Sequence, residues 1–439
     1  MLTAFHTDLY ELTMMAGYWS AGLTQPATFE LFVRRLPEER SYLIAAGLEP
    51  VLEFLEQVRF TADERDWLKR LPQFAHVPAD FFDGYLANFT FTGDVWAFEE
   101  GTAAFANEPI VRVTASLPEA QLVETALLAT IGFQTSVATK AARVVSAAQG
   151  RSVIEFGARR AHGLGAADQA TRAAFIGGCD GTSLVEAGRR YGIPTSGTMA
   201  HSWVEAFPGE SQAFEAFGRL FGDSAVYLLD TYDTLRAAAG LAKSGLRPSV
   251  VRLDSGDLPS LSRQVRQILD AHGLEKTKIF ATGDLDEHRI SALVSGGAPI
   301  DGFGVGTALT TVSDAPALGV VYKLVEIERQ GQRVGVVKHS PEKQTWPLRK
   351  QVWRTESRGR FVGDLIAADD EAGPPDAQPL LRRVMVDGRR TSPPVSLAVS
   401  RSRCRVSIER LPNAVKSLDA PDQYNVTTSA TLESRRSKA

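Results

Sequence analysis

The sequence predicts an α/β protein built around an irregular, incomplete α/β barrel, with a doubly wound open sheet as the alternative. Three observations carry this expectation. Seven strand-like runs follow one another between residues 152 and 306, most of them separated by a helical stretch. The runs are apolar nearly throughout, as strands covered on both faces should be. Each is followed closely by a short polar or glycine-rich cluster. Strand, helix, strand at this spacing builds parallel sheets.

In chain order, residues 7–20, TDLYELTMMAGYWS, read as a helix with Thr7 as its N-cap. The strand-like runs TFELFVRR, SYLIAAG, FTFTGDVWAF and TAAFANEPIVRVTAS follow, some separated by short helical stretches. Residues 1–117 therefore read as an α+β domain. From Pro118 to Ala148 a long helical periodicity with few breakers bridges into the barrel domain, residues 118–330. Its strands are expected at SVIEFG (152–157), AAFIGG (173–178), IPTSGT (193–198), AVYLLD (225–230), SVVRLD (249–254), KIFATGD (278–284) and IDGFGVG (300–306). The clearest helix is PSLSRQVRQILDAHG, with Leu261, Val265, Ile268 and Leu269 on one stripe and Gly273 as a stop.

Beyond residue 330 the texture changes. RVGVVKHS and LLRRVMVDGRRT read as strands, the latter folding back at Asp387–Gly388. VSLAVSRSRCRVSIERL reads as a helix. Residues 331–412 form a C-terminal part, and the polar residues 413–439 are expected to fray.

Composition narrows the function. Hydrophobic residues make up 44% of the 439 and charged ones 23%, as in ordinary globular proteins. A net charge of −4 gives no electrostatic reason to expect nucleic acid or a membrane surface. Cys179 and Cys404 are too few for a disulfide framework. No apolar run approaches a membrane span, and Asp8 and Glu11 interrupt any leader-like start. A cytoplasmic location is the expectation.

The chemistry gathers where the strands end, which is where parallel α/β folds place it. The expected strand ends carry Phe156, Arg159 and Arg160; Asp180, Thr182 and Ser183; His201; Asp230; Arg252, Asp254, Ser255 and Asp257; Asp284; and the GFGVGT turn. Arginines and exposed backbone N–H groups bind phosphate oxygens. Carboxylates hold Mg²⁺, sugar hydroxyls or a developing positive charge. Together they point to a phosphorylated sugar in the barrel mouth. Singly each has a plainer reading: Asp257 or Ser255 as the cap of the helix near Pro259, Phe156 as core, Arg159 and Arg160 as a solvated pair. His201 lacks any histidine or cysteine at metal-ligand spacing, so it is a loop packing residue or a group presented to a ligand.

The ordered segments TDLYELTMMAGYW, LFVRRLP, SYLIAAGLE, EFGARRAHG, GGCDGTSL, SGTMAHSW, LLDTYDT, RLDSGDL, ATGDLDEHR and DGFGVGT resemble the nicotinate phosphoribosyltransferase family. The resemblance covers roughly residues 3–325. It implies a type II phosphoribosyltransferase barrel packed on an α+β domain made from both chain ends. It also implies ATP-coupled transfer from 5-phosphoribosyl-1-pyrophosphate to nicotinate, Mg²⁺, and a homodimer with shared sites. By resemblance His201 is the histidine that ATP phosphorylates. Arg159 and Arg252 bind substrate and phosphate. Phe156 stacks one face of nicotinate, and Tyr10 of the neighbouring subunit stacks the other. Asp254 stands near the ribosyl group, with Asp180, Thr182 and Ser255 around the substrates. Gly283 and Asp284 form the ribose-side loop, and Gly304, Gly306 and Thr307 the 5′-phosphate loop. Mg²⁺ comes mainly with the pyrophosphate. Ser183 donates to the nicotinate carboxylate where the related nicotinamide enzyme has an acid. Leu184 stands where the family often has asparagine. The competing readings are a nicotinamide or quinolinate phosphoribosyltransferase and a phosphosugar-binding regulator without turnover.

Overall fold

The computed structural model describes residues 3–338 and 345–438. The chain divides into two compact units: residues 1–136 with 317–439, and residues 137–316. The boundaries fall later and earlier, respectively, than the 117/118 and 330/331 expected from composition. The reason lies in the bridging helix Glu124–Ala147, which begins in one unit and ends in the other.

The first unit is discontinuous, as the resemblance implies. Its seven-stranded antiparallel sheet runs Gln332–Gly335, Val320–Arg329, Pro26–Val33, Pro109–Ser116, Asp94–Ala97, Arg382–Val386, Arg389–Arg390. The N-terminal strand Pro26–Val33 thus pairs with an early strand on one edge and a late one on the other. Phe29 stacks on Tyr322 across the second of these pairs, with ring centroids 4.9 Å apart. A buried Glu30–Lys350 ion pair at 2.7 Å ties in a further late segment. The Asp387–Gly388 turn takes φ of 46° and 72°, the left-handed pair that a two-residue hairpin of this kind requires. The expected strand RVGVVKHS is paired over its first three residues, as part of Gln332–Gly335; its last two residues lie outside the described ones.

Two expectations for this unit are corrected. Thr7 does not cap the first helix, which is Leu9–Ser20 with Asp8 at the cap position. The Thr7 hydroxyl donates instead to the Leu122 carbonyl at 3.0 Å. Residues 413–439 are not a frayed tail as far as they are described. Val426–Thr428 pairs in parallel with Arg360–Ala368, and Ala430–Lys438 is helical. Val415, Tyr424 and Leu432 are buried, and the Tyr424 ring stacks 3.8 Å from Phe105. Three anchors so far apart give no periodic signal, yet each fills a core position.

The second unit is a six-stranded, wholly parallel sheet. In chain order its strands are Ser152–Glu155, Gly181–Thr182, Val226–Leu228, Val250–Leu253, Lys278–Ala281 and Gly302–Val305, called the first to sixth barrel strands below. Their spatial order is second, first, sixth, fifth, fourth, third. That is a barrel sequence, closed between sixth and first and open between second and third. The incomplete barrel is therefore the right alternative.

The expected strand AAFIGG is the end of the helix Leu164–Ile176 and its glycine stop. Its apolar residues belong to the buried face of an alanine-rich helix, and a short apolar run does not distinguish the two. The expected strand IPTSGT makes no ladder. It lies in the open seam, joined to the second strand by an isolated bridge, Thr182 to Thr195, while Met199 N–H donates to Val226 O of the third. Pro194 and Gly197 suit an irregular seam better than a ladder.

A buried ion cluster fixes the unit on its helical side. Lys140 reaches Glu287 at 2.6 Å and Asp314 at 2.8 Å, and Arg143 reaches Glu287 at 2.9 Å.

The first helix generates a pH prediction. Glu11 is fully buried, and Thr125 donates to its Oε1 through both N–H and hydroxyl. Burial outweighs those bonds and, helped by Glu124 and Asp8, pushes its pKa up to about 7. The folded state then holds a proton that the unfolded chain has lost, so stability falls as pH rises from the ordinary glutamate range to about 7. The loss is about 2–3 kcal/mol. Glu11→Gln keeps an acceptor for Thr125 without the charge. Its melting temperature should gain a few degrees relative to wild type between pH 5 and pH 8. A constant difference across that range would show that Glu11 does not titrate there.

Candidate active site

The carboxyl ends of the barrel strands hold most of the expected site residues. Arg252, on the fourth strand, uses all three guanidinium nitrogens. Nε donates to Thr282 Oγ1 at 2.9 Å, one terminal nitrogen to Thr198 Oγ1 at 2.6 Å, and the other to Asp254 Oδ1 at 2.7 Å. Thr282, just past the fifth strand, donates its own hydroxyl hydrogen bond to Asp254 Oδ1. Burial would raise the Asp254 carboxyl. The Thr282 hydrogen bond and the Arg252 charge, with His201 adding a little, outweigh it and hold it below the usual range. Asp254 is thus a fixed carboxylate with one committed oxygen. Its Oδ2 lies 3.8 Å from His201 Nε2.

His201 opens the short helix His201–Glu205 directly after the seam, and 43% of its side chain is exposed. Its Nδ1 is 3.2 Å from Thr231 Oγ1, next to Asp230 at the end of the third strand. Asp230 Oδ2 accepts from Asp254 N–H at 3.2 Å and from the Ser255 hydroxyl at 2.5 Å. Asp230 Oδ1 is buried without a hydrogen-bond partner. Asp257 caps the helix Leu258–Asp270, and Asp254 faces the site.

The fifth strand's loop is tightly constrained. Gly283 has φ 97°, and a Cβ there would lie 2.0 Å from the Asp254 carbonyl oxygen. Only glycine fits. Asp284 follows at φ 48°, a left-handed conformation that aspartate tolerates. Arg289 donates to its carbonyl at 2.7 Å, and Asp286 caps the helix Glu287–Ser295 that leads away.

Phe156, past the first strand, is half-buried over Gly304. A Cβ at 304 would lie 2.7 Å from the Phe156 ring, so this glycine makes the ring's seat. Phe280 flanks it, with ring centroids 5.9 Å apart. Arg159 is exposed on the single turn Ala158–Arg160. Gly306 precedes the short helix Thr307–Thr310, with Thr307 exposed at its start.

Ser183 is exposed beyond the second strand and caps nothing. The cap position belongs to Leu184, which makes no side-chain cap bond. Two expected substrate residues sit elsewhere. Asp180 lies before the second strand, at the amino ends, where its carboxylate accepts from Ser152 Oγ at 3.0 Å and Val153 N–H at 3.1 Å. The false strand over 173–178 is why it read as a carboxyl-end residue. Thr182 is fully buried, and its hydroxyl donates to Glu155 Oε2 at 2.7 Å. Tyr10 belongs to the other unit, on the helix Leu9–Ser20, with 48% of its surface exposed.

Sequence reasoning missed Thr198, Thr231, Thr282 and Glu155. A threonine close to a strand end was the available signal for three of them. Among the described residues no group of three or more histidine, cysteine, aspartate or glutamate side chains could hold a metal ion, and no helix is long and apolar enough to cross a membrane.

Family models match most of the chain. They are the nicotinate phosphoribosyltransferase N-terminal domain over residues 5–132, the nicotinate phosphoribosyltransferase family over 152–365, and its C-terminal domain over 373–436. A nicotinate phosphoribosyltransferase of Mycobacterium tuberculosis is 49% identical over 423 residues, covering 95% of this chain and 89% of the relative. One of Bacillus subtilis is 47% identical over 380 residues, covering 84% and 76%. The crystal structure of human nicotinic acid phosphoribosyltransferase matches with a TM-score of 0.86 at 28% identity, over 98% of this chain and 99% of that one. Likeness of this extent, in sequence across both units and in fold, means that the chain belongs to the nicotinate phosphoribosyltransferase family.

Proposed function

We propose that the protein joins nicotinate to 5-phosphoribosyl-1-pyrophosphate, giving nicotinate mononucleotide and pyrophosphate, with ATP hydrolysis coupled through His201. The observation that carries this reading is the fixed Asp254 carboxylate with Oδ2 open beside His201. The nicotinate ring nitrogen attacks the ribosyl carbon as its bond to pyrophosphate breaks. The positive charge that develops on the sugar is stabilised by Asp254, which Arg252 and Thr282 keep ionised and immobile. Phe156 offers a stacking face, and Ser183 and Arg159 offer donors to the nicotinate carboxylate. Backbone N–H groups around Gly306 and Thr307 receive the 5′-phosphate, and the Gly283–Asp284 turn lies against the ribose.

For the ATP step, the tautomer with its hydrogen on Nδ1 donates to Thr231 Oγ1, 3.2 Å away, and presents the lone pair on Nε2, on the Asp254 side. Nε2 attacks the terminal phosphorus, ADP departs, and water later cleaves the phosphohistidine. Mg²⁺, bound with pyrophosphate, would neutralise the leaving group's charge. The residues fit that modest role. They form no cage, but Asp230 Oδ1 is a buried carboxylate oxygen with no hydrogen-bond partner in the chain. A homodimer places Tyr10 of the partner subunit over the second face of nicotinate; its exposed ring on an N-terminal helix supports this. The small-molecule chemistry of the family and the site favours a cytoplasmic enzyme of pyridine nucleotide salvage.

Three measurements test the reading. His201→Ala should lose ATP stimulation and keep a slow ATP-independent reaction; ATP hydrolysis still in step with product would remove His201 from the role. Mixing inactive Tyr10→Ala and Asp254→Ala subunits should restore up to one working site per heterodimer. No recovery after proven exchange would mean that one chain builds the whole site. Ser183→Asp should lower the ratio of kcat/KM for nicotinate over nicotinamide at least about tenfold, a change of about 1.4 kcal/mol, mainly by repelling the nicotinate carboxylate. An unchanged ratio in a folded variant would leave the carboxylate to the arginines.

A further inference from the structure

We propose that Glu155 is the positioning residue that sets both substrate-receiving sides of the site through the two oxygens of one buried carboxylate. This rests on the function proposed above. Glu155 ends the first barrel strand and is 1% exposed. Its Oε1 accepts from the Gly157 N–H and from Thr310 Oγ1 at 3.2 Å. Its Oε2 accepts from Thr182 Oγ1 at 2.7 Å and Thr171 Oγ1 at 2.9 Å. Four neutral donors thus fill the lone-pair positions of a carboxylate. They come from four places: the turn holding Phe156 and Arg159, the helix after Gly306, the residue before Ser183, and the helix Leu164–Ile176.

The backbone repeats the arrangement. Ser183 N–H donates to Glu155 O at 3.0 Å, and Phe156 N–H donates to Val305 O at 2.8 Å. The fit at Gly157 is tight: a Cβ there would lie 1.7 Å from Thr310 Oγ1 and 2.8 Å from the Gly306 carbonyl oxygen. The first-strand turn and the phosphate-side helix therefore cannot shift independently while Oε1 holds both. A buried carboxyl group whose surroundings must supply four donors is costly to retain for packing alone. Its carboxylate acts through Thr310 on one side and Thr182 on the other.

The division between the two oxygens supplies the test. In Thr310→Val, KM for 5-phosphoribosyl-1-pyrophosphate should rise about tenfold, with KM for nicotinate within about twofold of wild type. Thr182→Val, acting through Ser183, should show the reverse. Glu155→Gln, which replaces an acceptor by a donor, should raise both. Equilibrium binding of each substrate is measured beside the kinetics, well below each variant's melting temperature. Thr310→Val and Thr182→Val that shift both constants together, or lower only the melting temperature, overturn the proposal. If Glu155→Gln does not fold, the two threonine variants decide. If wild type binds both substrates without forming product, the proposed function fails, and the same split in binding still decides the role of Glu155. A wild-type chain that binds neither substrate overturns both readings.

Discussion

The Arg252 guanidinium donates to Thr198, Asp254 and Thr282, and the geometry of the site hangs on that arrangement. Each acceptor belongs to a different stretch: the seam, the residue past the fourth strand, and the residue past the fifth. A planar fork with fixed donor directions suits such a junction, and the point charge of a lysine would not. With its nitrogens engaged, Arg252 is a brace. It keeps Asp254 charged, and the Asp254 backbone in turn requires Gly283. One guanidinium therefore determines the approach of two loops.

The seam explains why His201 stands where it does. In a closed barrel the residues between the second and third strands would be laddered on both sides. Here the backbone of residues 194–199 bonds to Thr182 on one side and, through Met199, to Val226 on the other, with no ladder on either. The chain leaves this stretch into a five-residue helix whose first side chain is His201, with Thr231 and Asp254 as neighbours. His201 is thus carried by a segment outside the sheet's ladders, while its neighbours Thr231 and Asp254 follow strands that are paired.

Much of this was legible in the sequence, for physical reasons. Parallel strands covered on both faces leave continuous apolar runs, and five of the seven expected runs contain barrel strands. Asp387–Gly388 could be read because a two-residue turn demands its backbone conformation. The failures are equally physical. AAFIGG is apolar because it is the buried side of a helix, and that error carried Asp180 to the wrong end of the sheet. Glu155 was passed over because a carboxylate inside an apolar run carries no periodicity. Its meaning lies in four donors distant in sequence, and only the fold collects them. The anchors of residues 413–438 were hidden for the same reason.

The first unit's sheet places Ala27 opposite Ile327 and, on its other edge, opposite Ala115. A ribosome delivers the second of these neighbours long before the first. Through the synthesis of the entire barrel unit, the strand Pro26–Val33 has one edge paired and the other bare, with Phe29 waiting for Tyr322. The contiguous barrel unit has no such wait, because its strands and helices all lie within residues 137–316. Pairing so remote in sequence pays a large loop-closure entropy before it is rewarded, and an unpaired apolar edge invites other chains. The architecture that joins both chain ends into one unit thus makes the newborn N-terminal half the part most exposed to misassociation, and makes the arrival of residues 320–329 the event that ends the exposure.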